Sequence, residues 1–302
     1  MSVPYEKLVA KAHMMRADYE ALMHSVTHPH VDVAEYREIE LSLVAPYITK
    51  LLVYRPLGSD GKVLPAYISL HSGAWARGSA YFDDYVNRVT ANRVGCVVVA
   101  VEFQLAPEAQ FPTQPNECYS AVKWVFDHAG ELGVDTSRIA LGGHNSGGTL
   151  AIAVANMAKV TKAFDLCCVI SDCAMMDLSC DYDELPDFDL DEALVGELKG
   201  AFFNTCYLGS LSKQTDPLAS PKFGTDVSGL PPIFMVCAEL DPTAGDAEDY
   251  YNRLKAAGND CRFHCHLGQK HGFNVQPGLA PQEKVDESFL VLDNYLIEKF
   301  AK

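Results

Sequence analysis

Ile139-Ala140-Leu141-Gly142-Gly143-His144-Asn145-Ser146-Gly147-Gly148-Thr149-Leu150 is the stretch whose reading decides the fold. An apolar run enters a glycine-rich turn and leaves as a helix of Ala, Leu and Val. A strand that passes into a helix through so tight a turn presents one side chain at its tip, the setting in which a G-x-S-x-G elbow presents a nucleophilic serine. Small residues are needed two before and two after the tip, because strand and helix backbones nearly touch there. The frame Gly143-x-Asn145-x-Gly147 satisfies this, so the tip is Asn145. Its amide cannot attack a carbonyl.

Outward from this turn, apolar strands alternate with helices. Strands are expected over 66–70, 95–101, 139–141, 166–170, 233–237 and 260–266. Helices are expected over 82–93, 113–130, 147–160, 244–257 and 281–299. Such alternation implies an α/β fold with a mostly parallel sheet covered on both faces. Residues 1 to about 30 carry helical periodicity (Leu8, Ala12, Met15, Tyr19, Leu22), and 37–56 alternate in part like edge strands. The segment 181–213 interrupts the pattern with helix-like Leu190, Ala193, Leu194, Leu198, Phe202 and Phe203. An insertion there sits over the strands' carboxyl ends, where open α/β sheets bind ligands. Together with residues 1–45 it is expected to form a small helical cap on a single domain, 1–302.

Composition narrows the partners. A net charge of −16 in 302 residues, without a basic stripe, repels nucleic acid and anionic membranes. No run of 18 apolar residues is present to span a bilayer, and no basic segment followed by an apolar one suggests secretion. Ten cysteines at irregular spacings suit free thiols in a reducing compartment, so a cytoplasmic location is expected. The acidic run 181–192 lacks the glycine and spacing of an EF-hand and reads as solvated. Cys261-Arg262-Phe263-His264-Cys265-His266 holds soft ligands, but as a strand it splits cysteines and histidines onto opposite faces. That geometry does not close a tetrahedral zinc site. No metal and no cofactor are expected, and the partner is a small molecule.

Four segments carry the chemistry. His71-Ser72-Gly73-Ala74-Trp75 ends an apolar strand with small residues, which lets backbone N–H groups approach a developing oxyanion. The elbow at Asn145 is the second. The third is Ala238-Glu239-Leu240-Asp241-Pro242, a strand ending in a carboxylate, for which a helix N-cap is the rival reading. The fourth is Lys270-His271-Gly272-Phe273, a loop histidine after a strand. The order elbow, Asp, His is that of α/β hydrolases.

These residues resemble the hormone-sensitive-lipase-like branch of the α/β-hydrolase fold, which includes acetyl esterases and plant carboxylesterases. His71-Ser72-Gly73-Ala74 resembles its HGGG turn, Gln104-Leu105-Ala106-Pro107-Glu108 with Phe111-Pro112 its YRLAPE…FP stretch, and Gly142 to Gly148 its GGDSAGG. Asp216 to Pro221, Gly229 to Pro232, Asp241-Pro242 and His271-Gly272-Phe273 complete a match over about 65–300. The resemblance implies that Asp241 orients His271 as general acid/base. It also implies that the N–H groups of Gly73, Ala74 and Ser146 form an oxyanion hole and that the nucleophile position is Asn145. Ser72 and Ala74 depart from the family's glycines and add Cβ atoms near that hole. Pairing through the last strand and helix, frequent in this fold, makes a homodimer one expectation.

Three explanations of Asn145 stay open. Ser146 could attack instead, although this puts His144 at a position that needs a small residue. Asn145 could be an introduced replacement for a native serine. Or the chain has given up acyl-enzyme chemistry, since asparagine tolerates the positive φ an elbow demands. In that last case a His–Asp pair facing N–H donors could act as a lyase, isomerase, cyclase or water-activating hydrolase on a compact carbonyl, ester or lactone. The alternatives are a conventional serine carboxylesterase and a non-catalytic binding protein. Trp75, His144, Phe202 and Phe273 are the candidate substrate contacts, with Trp75 foremost because it follows the oxyanion turn. Phe103 and Phe203 are further candidates, and Glu102 is a strand-end carboxylate beside the site.

Overall fold

A computed structural model describes residues 4–180 and 201–301. Among the described residues, eight strands form one sheet: β1 (Glu35–Leu41), β2 (Thr49–Arg55), β3 (Leu64–Leu70), β4 (Val97–Glu102), β5 (Val134–His144), β6 (Cys168–Asp172), β7 (Ile233–Ala238) and β8 (Cys261–His266). Their order is β1-β2-β4-β3-β5-β6-β7-β8. Pairing is antiparallel for β1 with β2 and β2 with β4, and parallel from there to β8. The central strands are continuous apolar runs because both faces are covered, as Val97 to Val101 in β4 illustrate.

The helices are α1 (Tyr5–Met23), α2 (Asp84–Thr90), α3 (Thr113–Asp127), α4 (Ala129–Leu132), α5 (Ser146–Thr161), α6 (Ala201–Leu208), α7 (Ala244–Ala256) and α8 (Gln282–Phe300). The expected helix over 82–93 is α2 continued by a π-helical turn, Ala91–Gly95. The expected helix over 113–130 divides at His128, where its backbone leaves helical geometry, into α3 and α4. One side of the sheet packs on α3, α5 and α7 through Leu150, Val154, Val122 and Leu254. The other packs on α8 through Leu292, Tyr295 and Leu296.

Part of the expected cap is described. Arg16 of α1 grips Glu108 with two N–H···O bonds of 2.8 and 2.6 Å and donates to the carbonyls of Ala76 and Ala106, each at 2.7 Å. This holds α1 over the loops that follow β3 and β4. Of the residues 1–45 expected in the cap, 35–41 form strand β1 of the sheet. Leu190, Ala193, Leu194, Leu198 and the acidic run 181–192 lie outside the described residues. Among the described residues, no helix is long and apolar enough to cross a membrane.

Candidate active site

Two glycines build the elbow. A Cβ on Gly143 would lie 2.4 Å from the Leu70 carbonyl oxygen and 2.6 Å from the Gly147 carbonyl carbon. On Gly147 it would lie 2.0 Å from Leu70 O. Strand β5 therefore passes into α5 with its backbone pressed against the end of β3. The turn is completed by Asn145 at φ 52° and ψ −117°, a left-handed conformation that asparagine tolerates better than most side chains. Its N–H donates to Asp172 O at 2.8 Å, and its carbonyl accepts from Thr149 N at 3.1 Å.

The Asn145 side chain bridges two parts of the site. Its Oδ1 accepts from the Ala74 N–H at 2.8 Å, and its Nδ2 lies 2.8 Å from His271 Nε2. On the far side of the imidazole, Nδ1 lies 2.7 Å from Asp241 Oδ2. Asp241 spends its other oxygen on Thr243, accepting from its N–H and its hydroxyl at 2.8 Å each. One carboxylate thus both closes the turn before α7 and meets His271, while Thr243 stands at the N-cap position and spends its hydroxyl on Asp241 rather than on the helix. Burial alone would push the His271 pKa down, but the adjacent Asp241 carboxylate outweighs it and the net direction is upward.

The turn after β3 is set by Gly73, whose φ of 124° and whose missing Cβ (2.0 Å from Arg77 O if built) admit no side chain. Ala74 and Trp75 follow at φ 51° and 61°. His71 Nδ1 donates to Ser72 O at 2.7 Å, and its ring stacks on Phe103 at 3.9 Å. Glu102, the strand-end carboxylate, accepts from Ala80 N at 2.5 Å and from Ser79 Oγ at 3.0 Å, tying down the loop after the turn.

The fold disclosed by these elements has known counterparts. A family model described as alpha/beta hydrolase fold matches residues 67–275, more than half of the chain. The chain belongs to the alpha/beta hydrolase fold family. Over 277 residues it is 29% identical to an arylesterase of Saccharolobus solfataricus, covering 88% of this chain and 85% of that one. Carboxylesterase NlhH of Mycobacterium tuberculosis is 31% identical over 217 residues, covering 70% and 66%. The solved hyperthermophilic esterase from the archaeon Pyrobaculum calidifontis superposes with a TM-score of 0.82 at 27% identity, covering 98% of this chain and 92% of that one. The chain is thus an enzyme of the alpha/beta hydrolase type on an esterase scaffold.

Within this alpha/beta hydrolase, several expected substrate contacts take other roles. Trp75 is fully buried and stacks on Tyr207 at 4.3 Å and 7°, so it anchors α6 to the loop after β3. Phe202 is buried in the core against Phe203, and Phe103 is covered by His71. His144 is the last residue of β5 and faces Asp172 of β6 rather than His271. Its Nδ1 lies 2.7 Å from Asp172 Oδ2, the same oxygen that accepts from Asn274 Nδ2 at 2.9 Å. Burial raises the Asp172 pKa, but His144 and Asn274 together bring it down to about 2. His144 and Phe273 do line a cavity, shared with Phe82, Tyr85, Asn274 and Phe289 on the α8 side of the sheet. Ser146 Oγ is buried without a hydrogen-bond partner.

Sequence reasoning missed Thr243, Asp172, Asn274 and the structural use of Glu102. The Asp-x-Thr spacing at 241–243 signalled the first, since Asp side chains bond the backbone two residues on. Among the described residues, Asp177, Cys180 and Asp246 could approach one metal ion. Lys222 Nζ already bridges the two carboxylates there, at 3.0 and 2.9 Å. On β8, Cys261, Phe263 and Cys265 pack on the core, whereas His264 contacts His266 and His266 meets Phe273. The expected split of donors between two faces holds.

Proposed function

We propose that this chain hydrolyses a compact carboxylic ester or lactone by direct activation of water, without an acyl-enzyme. His271 is the proton-shuttling base, oriented by Asp241. The N–H groups of Gly73, Ala74 and Ser146 receive the oxyanion, and Asn145 holds the nucleophile position of the family. The same parts serve a lyase, isomerase or cyclase whose substrate loses a proton beside a carbonyl. The observation that carries this reading is the Asn145 bridge, 2.8 Å to the base and 2.8 Å to an oxyanion donor. An amide in that position holds the base and the oxyanion donor together until substrate displaces it, while supplying no nucleophile. The relatives named arylesterase and carboxylesterase support ester chemistry on this scaffold.

Ser146 is disfavoured as a shifted nucleophile, since its hydroxyl is buried and His271 meets Asn145 instead. The ten cysteines, free and partly buried, favour a reducing cytoplasmic setting. The deciding experiment combines a fluorophosphonate label with p-nitrophenyl acetate kinetics. The reading expects no labelling, turnover without a burst, and loss of turnover in His271→Ala. Labelling that disappears in Ser146→Ala would establish a serine mechanism instead. Binding of small esters with no His271-dependent turnover of any would leave a binding protein.

A further inference from the structure

Arg77 has a charge that no carboxylate answers among the described residues. Its guanidinium lies 4.5 Å from the Tyr19 ring centroid and 5.5 Å from that of Phe203. Tyr19 comes from α1 and Phe203 from α6, so the charge is held where both helices meet the loop after β3. Its Nε is buried with no hydrogen-bond partner. Among the described residues no carboxylate stands within ion-pair distance of it. The chain's other arginines all meet a carboxylate or carbonyl oxygen, as Arg16, Arg88 and Arg253 do.

Aromatic faces attract a guanidinium but leave its fork of N–H donors without oxygens. Removing such a group from water without hydrogen-bonding partners is unfavourable, and burial lowers the Arg77 pKa accordingly. The Arg77 charge also reaches His271, whose pKa it pulls down. The loop fixes Arg77 relative to the oxyanion donors, because Arg77 N donates to Gly73 O at 3.0 Å and closes a turn around Ala74. The guanidinium itself is held between the Tyr19 and Phe203 rings, and its planar fork suits bidentate recognition of a carboxylate.

We propose that Arg77 is an anion subsite beside the oxyanion turn, and that the molecule acted on by His271 carries a carboxylate near its reacting carbonyl, as a short dicarboxylic monoester does. The proposal rests on the reading of His271 and Ala74 given above. It also fits a protein with a net charge of −16, which needs a local cation to admit an anionic substrate.

Monomethyl succinate and its uncharged counterpart dimethyl succinate provide the test, titrated calorimetrically into the wild-type chain, Arg77→Met and Arg77→Lys. The expected result is about tenfold or tighter binding of the monoester by the wild type. Arg77→Met should abolish that preference, and Arg77→Lys should keep part of it. Melting curves report whether each variant is folded, and Arg77→Lys retains the charge if Arg77→Met is not. Equal affinity for the two esters, no binding of the monoester to wild type, or equal loss of both in Arg77→Met would overturn the subsite. A role confined to pinning α1 and α6 would weaken both ligands alike. His271-dependent turnover of p-nitrophenyl acetate with no charge preference would overturn the subsite alone. Charge-selective binding without any His271-dependent turnover would overturn only the catalytic reading.

Discussion

The Ala74 N–H donates to Asn145 Oδ1 at 2.8 Å, and this one contact sets the proton positions of the whole site. A backbone N–H can only donate, so the amide must present its oxygen to Ala74 and its NH₂ to His271. Nε2 of His271 must then accept, which leaves the proton on Nδ1 to be donated to Asp241 at 2.7 Å. In its neutral form the imidazole therefore turns its basic nitrogen to the elbow, the tautomer a general base needs. Under the proposed function, Asn145 also occupies an N–H meant for the oxyanion, so a substrate would have to displace the amide oxygen from Ala74.

Asn145→Ser follows directly. The serine hydroxyl can donate to the accepting Nε2 of His271 and releases the Ala74 N–H. The variant should gain fluorophosphonate labelling and at least about a hundredfold in p-nitrophenyl acetate hydrolysis, the range general-base activation supplies. A burst phase should accompany it. No gain in either would mean that the site has lost more than its nucleophile.

Asp241→Asn tests the relay from the other end. The amide can offer its NH₂ to Nδ1, which drives the His271 proton to Nε2 and into conflict with the Asn145 NH₂. The rate of any His271-dependent reaction should fall by up to about 10⁴-fold, the loss seen when an imidazole is held in the wrong tautomer. KM should change little, since Asp241 is separated from the pocket by the ring it orients. Histidine ¹⁵N shifts would record the tautomer itself.

Protonation of His271 should have a visible consequence because its folded pKa is raised. A raised pKa stabilises the fold fully below the unfolded imidazole value of about 6.5, and that contribution is lost as pH rises through the folded value. Activity runs the opposite way, since the base must be neutral. The rate should therefore climb with an apparent pKa above the ordinary imidazole range. On the acid side, Nε2–H has no acceptor in the Asn145 NH₂, so the amide should turn and vacate Ala74. A profile flat through neutrality, with unchanged Asn145 side-chain resonances, would show that His271 does not titrate in the site.

Much of this was legible in the sequence. The alternation of apolar strands and helices yields the sheet because buried parallel strands carry continuous Val, Ile and Leu runs, as in β4 and β7. The elbow was readable because only glycine fits at 143 and 147. Asp241 and His271 were readable because each follows a strand at the sheet's carboxyl edge. Trp75 was misplaced for a physical reason: a large aromatic beside a loop can turn inward as readily as toward ligand, and the partner that captured it, Tyr207, lies 132 residues away. Arg77 was invisible because a missing counter-ion is a property of three-dimensional surroundings. The pairing of His144 with Asp172 needed the register of β5 on β6, which places those two residues opposite each other.

Glycine substitutions separate the elbow from ordinary backbone. Gly147→Ala puts a Cβ 2.0 Å from a backbone oxygen of β3, an atom that no rotamer change can move. The strand and α5 must part, at a cost of roughly 1–3 kcal/mol, and the Asn145 bridge to Ala74 should break with them. Gly245, in the first turn of α7, has nothing within 4 Å of its added Cβ and no positive φ. Gly245→Ala should stabilise the protein by roughly 0.4–1 kcal/mol, by restricting the unfolded chain. Urea unfolding of the two variants should therefore shift the midpoint in opposite directions. If Gly147→Ala unfolds at the wild-type midpoint, β3 and α5 do not touch as closely as the elbow requires.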